Sequence, residues 1–411
     1  MITRADLIAQ VVITQFGKLP SKRKPAVRDN GLHDWVPLSG IVAEVDGRFT
    51  CLALATGMKC LPACKLPESN GNALHDWHAE ILAIRTLNRF LLDDCSSLIE
   101  NRPHSGLLQT APHGGTSDEK PRTPPFRIRD NVKIHMYCSE APCGDASMEL
   151  TMAVQPDASP WQRPASGIIP LPDGSDPLPG RADFSQLGIV RRKPARGDAQ
   201  PTLSKSCSDK LALKQATSLL CSLTALYVEP ANAYVDTLVL PESQYSSVAC
   251  ARAFSETGRM SSVRGKTWRG GYVFRPFAVE ATTVEFDFSR RAVLARAAEG
   301  ISASNIAAAW SLSGVEESII NGVLQGRKMS DQRGASHMSR RQMWRAARHL
   351  ARRLDGHDAM AHPLSQPTYR DVKGGTLLAE REAVKAAVRV AALVGWVPCR
   401  EDADFNIDVA S

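Results

Sequence analysis

The stretch Leu74-His75-Asp76-Trp77-His78-Ala79-Glu80 decides how this chain is read. Behind it Ile81, Leu82, Ile84, Leu87, Phe90 and Leu91 recur at helical spacing, which predicts a helix from Trp77 to Leu92 with Asp76 as its N-cap. His78 and Glu80 then share the first turn. An imidazole there can hold a metal, and a carboxylate two residues on can carry protons to and from a water. Alone the pattern is weak, because a histidine at a helix start more often caps or fills the core, and the helix dipole favours an acid in any first turn. Its company gives it weight.

Upstream, Pro37 to Val45 and Arg48 to Thr56 alternate around Asp46-Gly47, a hairpin signal that delivers the chain to Thr56-Gly57-Met58-Lys59-Cys60. That loop is expected to line the same site. Ala5 to Phe16 reads as an amphipathic helix, and Lys18 to Asp29 as a basic segment broken by prolines. Downstream, residues 101–129 and 155–181 are rich in proline, glycine and polar residues and read as exposed insertions. Between them Val132 to Ser139 is a buried-strand pattern ending on Glu140-Ala141-Pro142-Cys143-Gly144-Asp145. Proline suits a first helical turn, and a cysteine there has its thiol pKa lowered by the dipole. After the basic Arg191-Arg192-Lys193, Ser206-Cys207-Ser208-Asp209-Lys210 starts a helix expected to reach about Tyr227.

His78, Cys143 and Cys207 thus stand at three predicted helix starts, 65 and 64 residues apart. One histidine and two thiolates leave the fourth tetrahedral position open, the pattern of a catalytic zinc site and not of a closed structural one. The other cysteines read as buried thiols, Cys60 and Cys64 included, since a single pair lacks partners. In the second half, 233–240 and 271–277 read as strands, 243–257 as a helix and 340–354 as a strongly basic helix bearing Trp344. Its arginines form either a solvated face or a phosphate-tracking one.

The 411 residues, 43% hydrophobic and 23% charged, suffice for one large folded domain, read here as 1–411. No run of eighteen apolar residues occurs and an acid precedes any apolar block at the N-terminus, so neither a membrane span nor a secretory signal is expected. The expected location is intracellular, in nucleus or cytoplasm. Ten irregularly spaced cysteines fit reduced thiols and a metal site, and a net charge of +7 hints at a polyanionic partner.

Taken together, His78-Ala79-Glu80, Pro142-Cys143-Gly144-Asp145-Ala146-Ser147 and Ser206-Cys207-Ser208-Asp209-Lys210 resemble the adenosine deaminases acting on RNA. The likeness extends from the Thr56 loop to Gly395-Trp396-Val397 and is similar in kind to the tRNA-specific, fungal-type branch, which converts the adenosine 3′ of the anticodon (position 37) to inosine. Departures separate the chain from the branch that edits duplex RNA: Ser147 replaces an arginine, Met58 a threonine and Lys214 a tryptophan. Only 77 residues precede His78, so no separate double-stranded-RNA module is expected.

The resemblance implies a cytidine-deaminase-like three-layer α/β/α sandwich with a C-terminal helical extension. It implies one Zn²⁺ on His78, Cys143 and Cys207, Glu80 as proton shuttle, and Asp76, Lys210 and Lys193 behind the metal. Thr56, Gly57, Met58 and Lys59 would form the substrate loop. It further implies a buried inositol hexakisphosphate, contacted by Arg85, Lys210, Ser222, Lys328 and Tyr369, by Lys373, Lys385, Trp396 and Asp404, and by Lys214 and His75. Against that, Ile84 replaces a family arginine and Arg381 stands where a tyrosine is expected. The expected function is A-to-I deamination of the tRNA anticodon loop. Alternatives are messenger-RNA editing and a non-catalytic RNA-binding scaffold, and the presence of Glu80 argues against the latter.

Overall fold

Asp46 and Gly47 both take positive φ, 49° and 74°, the backbone of the tight turns that match the twist of paired strands. The strands they join, β1 (Leu38–Val45) and β2 (Arg48–Thr56), form the centre of the sheet. The computed structural model describes residues 2–111, 124–153, 186–193, 199–297, 299–354 and 358–407. Strand β3 (Val132–Cys138) runs antiparallel to β1, and β4 (Thr237–Pro241) and β5 (Ala278–Thr282) add in parallel. On the other side β6 (Ala307–Ser311), β7 (Glu316–Ile320) and β8 (Val323–Leu324) continue antiparallel, giving the order β8-β7-β6-β2-β1-β3-β4-β5.

Alternation along the central strands feeds two cores. Leu38 and Val42 face the layer of α1 (Arg4–Gly17), which buries Ile8, Ala9, Val12 and Phe16. Ile41 and Ala43 face α2 (Ala79–Ile99) and the other helices. A register shift opposite Ile41 and Val42 marks a bulge in β2, and both Leu52 and Ala53 fall in the larger core. That core also holds α4 (Cys207–Thr217), α5 (Ser247–Phe254), α6 (Arg340–Ala351) and α7 (Ala379–Ala391); α3 (Met148–Ala153) is a short helix after the Cys143 turn. The result is the expected three-layer sandwich with a C-terminal helical part. Among the described residues no helix is long and apolar enough to cross a membrane.

Several expectations need correction. Helix α2 starts at Ala79, with His78 in the capping position, and Asp76 instead accepts from the His78 amide at 3.0 Å. Helix α4 stops at Thr217 because Ser218 takes φ 56°, so it does not reach Tyr227. The segment 271–277 is no strand; only an isolated bridge joins Thr267 to Val273 before β5. In 101–129 the flanks form a two-stranded ribbon, Leu108–Thr110 with Phe126–Ile128, that buries Leu108, Phe126 and Ile128, because apolar residues sit inside a polar composition. Its middle and all of 155–181 lie outside the described residues.

The basic helix is also not a uniform solvated face. Arg341 is buried and donates to the carbonyls of Asn70 and Asn406, the latter at 2.7 Å, and Arg340 donates to the Glu401 carbonyl at 2.8 Å. Trp344 is fully buried with its indole N–H on the Leu364 carbonyl at 2.8 Å. Buried guanidinium groups need acceptors, and here the backbone carbonyls of Asn70 and Asn406 supply them for Arg341.

Candidate active site

Three chain segments place the donors. His78 enters from the loop before α2, Cys143 from the turn after β3, and Cys207 from the first residue of α4, whose N-cap Ser206 accepts from the Asp209 amide. Their donor atoms all lie within 4.8 Å of one another. Cys143 Sγ is 3.9 Å from His78 Nδ1, and the Cys207 amide donates to Cys143 Sγ at 3.3 Å. A tetrahedral zinc spaces its ligands by roughly 3.3–3.8 Å, so the cluster is of the right size. Close approach is enforced by glycine. Gly57 has φ 135°, and a Cβ there would come within 2.2 Å of the Trp77 carbonyl; Gly144 has φ 102°, and its Cβ would meet Ser206 Oγ at 2.3 Å.

The charge pattern also suits a cation. Hydrogen bonding from Cys207 holds the Cys143 thiol well below its ordinary pKa, helped by Lys193 and His78, while burial holds Cys207 well above its own. Burial alone would push His78 down, yet the facing sulfurs of Cys143 and Cys60 raise it to about 10. A sulfur pair that gathers positive charge around itself is a donor set fit for a soft dication. Beside it Glu80 is 5% exposed, and burial, then the Cys143 charge, push its carboxyl above the usual range.

Behind the donors lies a connected ion cluster. Lys193 Nζ donates to Asp76 Oδ2 at 2.8 Å and to Cys207 Sγ at 3.2 Å, and Lys210 donates to the same Asp76 oxygen. Burial opposes the charge on Asp76, but Lys193 and Lys210 hold its carboxyl well below the ordinary value. Burial likewise opposes Lys193, and Asp76, then the two thiols, hold it well above. The expected positions Asp76, Lys193 and Lys210 are therefore brought together. In the substrate loop Thr56 Oγ1 accepts from the Ala308 amide at 2.8 Å, Met58 packs toward the α1 core, and Lys59 is tied to Asn305. Cys60, read as an inert thiol, has its sulfur within 4.8 Å of donor atoms of Asp76 and His78. Its place in the loop already judged to line the site was the available signal.

A second polar region adjoins this one. A cavity of about 650 Å³ is lined by nine Lys and Arg side chains against one carboxylate, Glu382. Of the expected contacts, Arg85, Lys214, Ser222, Tyr369, Lys373, Lys385 and Trp396 line it, while His75 and Lys210 line a contiguous 260 Å³ lobe. Lys328 is exposed and lines neither. Asp404 is exposed too, its carboxylate on Arg370 at 2.7 Å. The inward acid is Asp402, because its φ of 55° turns the chain there; it accepts from His75 at 2.8 Å and from Ser69 at 2.9 Å. Arg381, standing where a tyrosine was expected, lines the cavity, as do Arg340 and Arg389, which were not foreseen. Burial pushes Lys214 and Lys385 well below the ordinary lysine pKa, with Arg381 and Lys373 adding to the effect, and holds Lys205 down at about 7.

Residues 53–398 match the adenosine-deaminase (editase) domain family, and the chain belongs to that family. It is 40% identical over 289 residues to tRNA-specific adenosine deaminase 1 of Schizosaccharomyces pombe, a match that covers 69% of this chain and 70% of that protein. To the Saccharomyces cerevisiae protein of the same name it is 35% identical, over 57% of this chain and 58% of the relative. A double-stranded RNA-specific editase of Drosophila melanogaster is 26% identical over 60% of the chain and 35% of its own length.

Proposed function

We propose that this chain is a zinc-dependent deaminase that converts adenosine to inosine in tRNA, at the nucleoside 3′ of the anticodon. The observation that carries the reading is the convergence of His78, Cys143 and Cys207 donor atoms beside the buried Glu80. The tRNA-specific names of the relatives favour tRNA over other RNA. An anticodon-loop base is already largely unpaired, so drawing it into a pocket costs less than extruding it from a duplex.

Zinc held by His78, Cys143 and Cys207 would supply Lewis-acid polarisation of a water at the fourth position. Glu80 then performs the proton work. Its raised pKa lets the buried carboxylate take a proton from the water, hold it, and deliver it to N1 of the adenine as the water oxygen joins C6. A second proton from the water reaches the departing amine by the same carboxyl, so adenosine and water yield inosine and ammonia. Asp76 and Lys193 fix the His78 amide and the Cys207 sulfur, which keeps two donors oriented. Thr56 and Lys59 hold the loop that would receive the base.

The excess of Lys and Arg over carboxylates lining the adjoining cavity supports inositol hexakisphosphate, or a polyanion of like charge, as a resident group. Two experiments test the proposal. Incubation of the purified protein with total tRNA, and separately with messenger RNA, followed by inosine mapping, should find inosine beside the anticodon; inosine only in messenger RNA, or none, rejects the substrate. Metal analysis should give about one zinc per chain, lost in Cys143→Ala and Cys207→Ala.

A further inference from the structure

Each cysteine of the donor cluster is followed two residues later by an aspartate, Asp145 and Asp209, and both are completely buried. A fully buried carboxylate is unfavourable unless a cation meets it. Arg252 meets Asp145 and, one turn on, Glu149 of α3: its Nε donates to Asp145 Oδ1 at 3.0 Å, and its terminal nitrogens to the Asp145 carbonyl at 2.8 Å and to both Glu149 carboxylate oxygens, one at 2.9 Å. Arg259 meets Asp209, donating to Oδ1 at 2.6 Å, while Ser206 Oγ and the Arg191 amide donate to Oδ2 at 2.6 and 2.9 Å.

Both guanidinium groups come from one piece of backbone. Arg252 lies in the last turn of α5, and the Arg259 amide donates to the Arg252 carbonyl at 2.9 Å with its Nε on the Ala253 carbonyl at 3.0 Å. The two turns are themselves tied together, since Ser208 Oγ donates to the Pro142 carbonyl at 2.9 Å and accepts from the Ala146 amide at 3.1 Å. One element therefore grips, through two aspartates, the two turns whose sulfurs must stand a fixed distance apart.

We propose that Arg252 and Arg259 are positioning residues which, from α5 and the turn that follows it, set the separation of the Cys143 and Cys207 sulfurs for metal binding. This rests on the metal-dependent reading above but not on the identity of the RNA. Neither arginine reaches the reacting atoms. They act by holding Asp145 and Asp209, and through them the backbone that aims each sulfur.

The test uses the full chain loaded with Co²⁺ or Zn²⁺, and no RNA. Arg252→Gln and Arg259→Gln should each weaken zinc about 10–100-fold in chelator competition, the usual cost of removing a group that supports a ligand. They should also shift the ligand-field and thiolate-to-cobalt absorption of the Co²⁺ form. Arg259→Lys should recover part of both. Arg127→Gln, which breaks a surface pair with Asp130 at 3.2 Å, should change neither. Where a single variant unfolds, the charge-neutral pairs Asp145→Asn/Arg252→Gln and Asp209→Asn/Arg259→Gln replace it. In all of them the gap in melting temperature between metal-loaded and metal-free protein should shrink. Wild-type affinity, an unchanged cobalt spectrum or an unchanged melting gap would each overturn the proposal and leave the arginines merely structural. A protein that binds metal normally but never modifies tRNA would instead reject the substrate reading alone.

Discussion

Around Asp76 every buried charge has its opposite: one carboxylate receives two ammonium groups, and Lys193 spans from that carboxylate to a metal-facing sulfur. The adjoining cavity is lined by nine Lys and Arg side chains and one carboxylate, Glu382, and burial holds Lys214 and Lys385 well below the ordinary lysine pKa. Lys210 touches both, lining the smaller lobe while donating to Asp76. In the first region each ammonium group meets a carboxylate of the chain itself. The second is richer in cations than in carboxylates, and an anion held there would lower the cost of keeping its partly buried lysines charged. The comparison teaches that two neighbouring polar sites of one fold can be read for what they lack as well as for what they hold.

The largest expected effect lies at the balanced site. Glu80→Ala should lower inosine formation by about 10²–10⁴-fold with zinc content unchanged, since proton transfer by a positioned side chain contributes on that scale. Inosine formation at the wild-type rate would remove Glu80 from the mechanism. Next, Asp76→Ala strands two ammonium groups and should destabilise the fold by about 3–5 kcal/mol in denaturant titration. In the cavity a substitution should work the other way round. Lys385→Met should raise the stability of protein stripped of polyanion and lower that of protein holding it, and a variant less stable in both forms would break the contrast.

Removing the polyanion itself should cost about 2.7 kcal/mol if it was present at a hundredfold excess over its Kd, read as a fall in melting temperature reversed by adding inositol hexakisphosphate. The pH response separates the regions further. Lys205 has a folded pKa of about 7, lowered by burial and then by Lys210, so between pH 7 and its ordinary value near 10.5 the unfolded chain binds the extra proton. Polyanion-free protein should therefore gain stability as pH rises through that window and be insensitive through this group below it. Lys193 has the opposite shift, so its contribution is intact up to its ordinary pKa and lost only above it. A polyanion-bound sample that still gains stability across the window would detach Lys205 from the cavity's charge. The smallest effects belong to Lys328→Ala and Asp404→Ala, which should change polyanion binding and stability by no more than about 0.5 kcal/mol, as exposed positions usually do.

The sequence by itself determined the elements with strong local signals. The Asp46-Gly47 turn, the strands on either side of it and α1 are set by two-residue or helical periodicity and took their expected places, and His78, Cys143 and Cys207 come together; Cys143, however, expected in the first turn of a helix, sits in a turn ahead of the 3-10 segment Asp145–Ser147, with Gly144 between them at φ 102°. Resemblance added Asp76, Lys193 and Lys210, which composition alone would have left as a cap and two surface lysines. Helix ends escaped, because they depend on who supplies the last hydrogen bond: the Gly57 carbonyl receives the Ala79 amide, and Ser218 ends α4 by its backbone. Which of several like residues turns inward escaped as well. Asp402 against Asp404 and Arg341 against Arg352 differ in no local property, and only the packing of segments hundreds of residues apart, Asp402 on His75 and Arg341 on Asn70, decides which meets such a partner. Charge compensation is a property of that three-dimensional neighbourhood, which is why the pairing of Arg252 and Arg259 with Asp145 and Asp209 became visible only once the chain was folded.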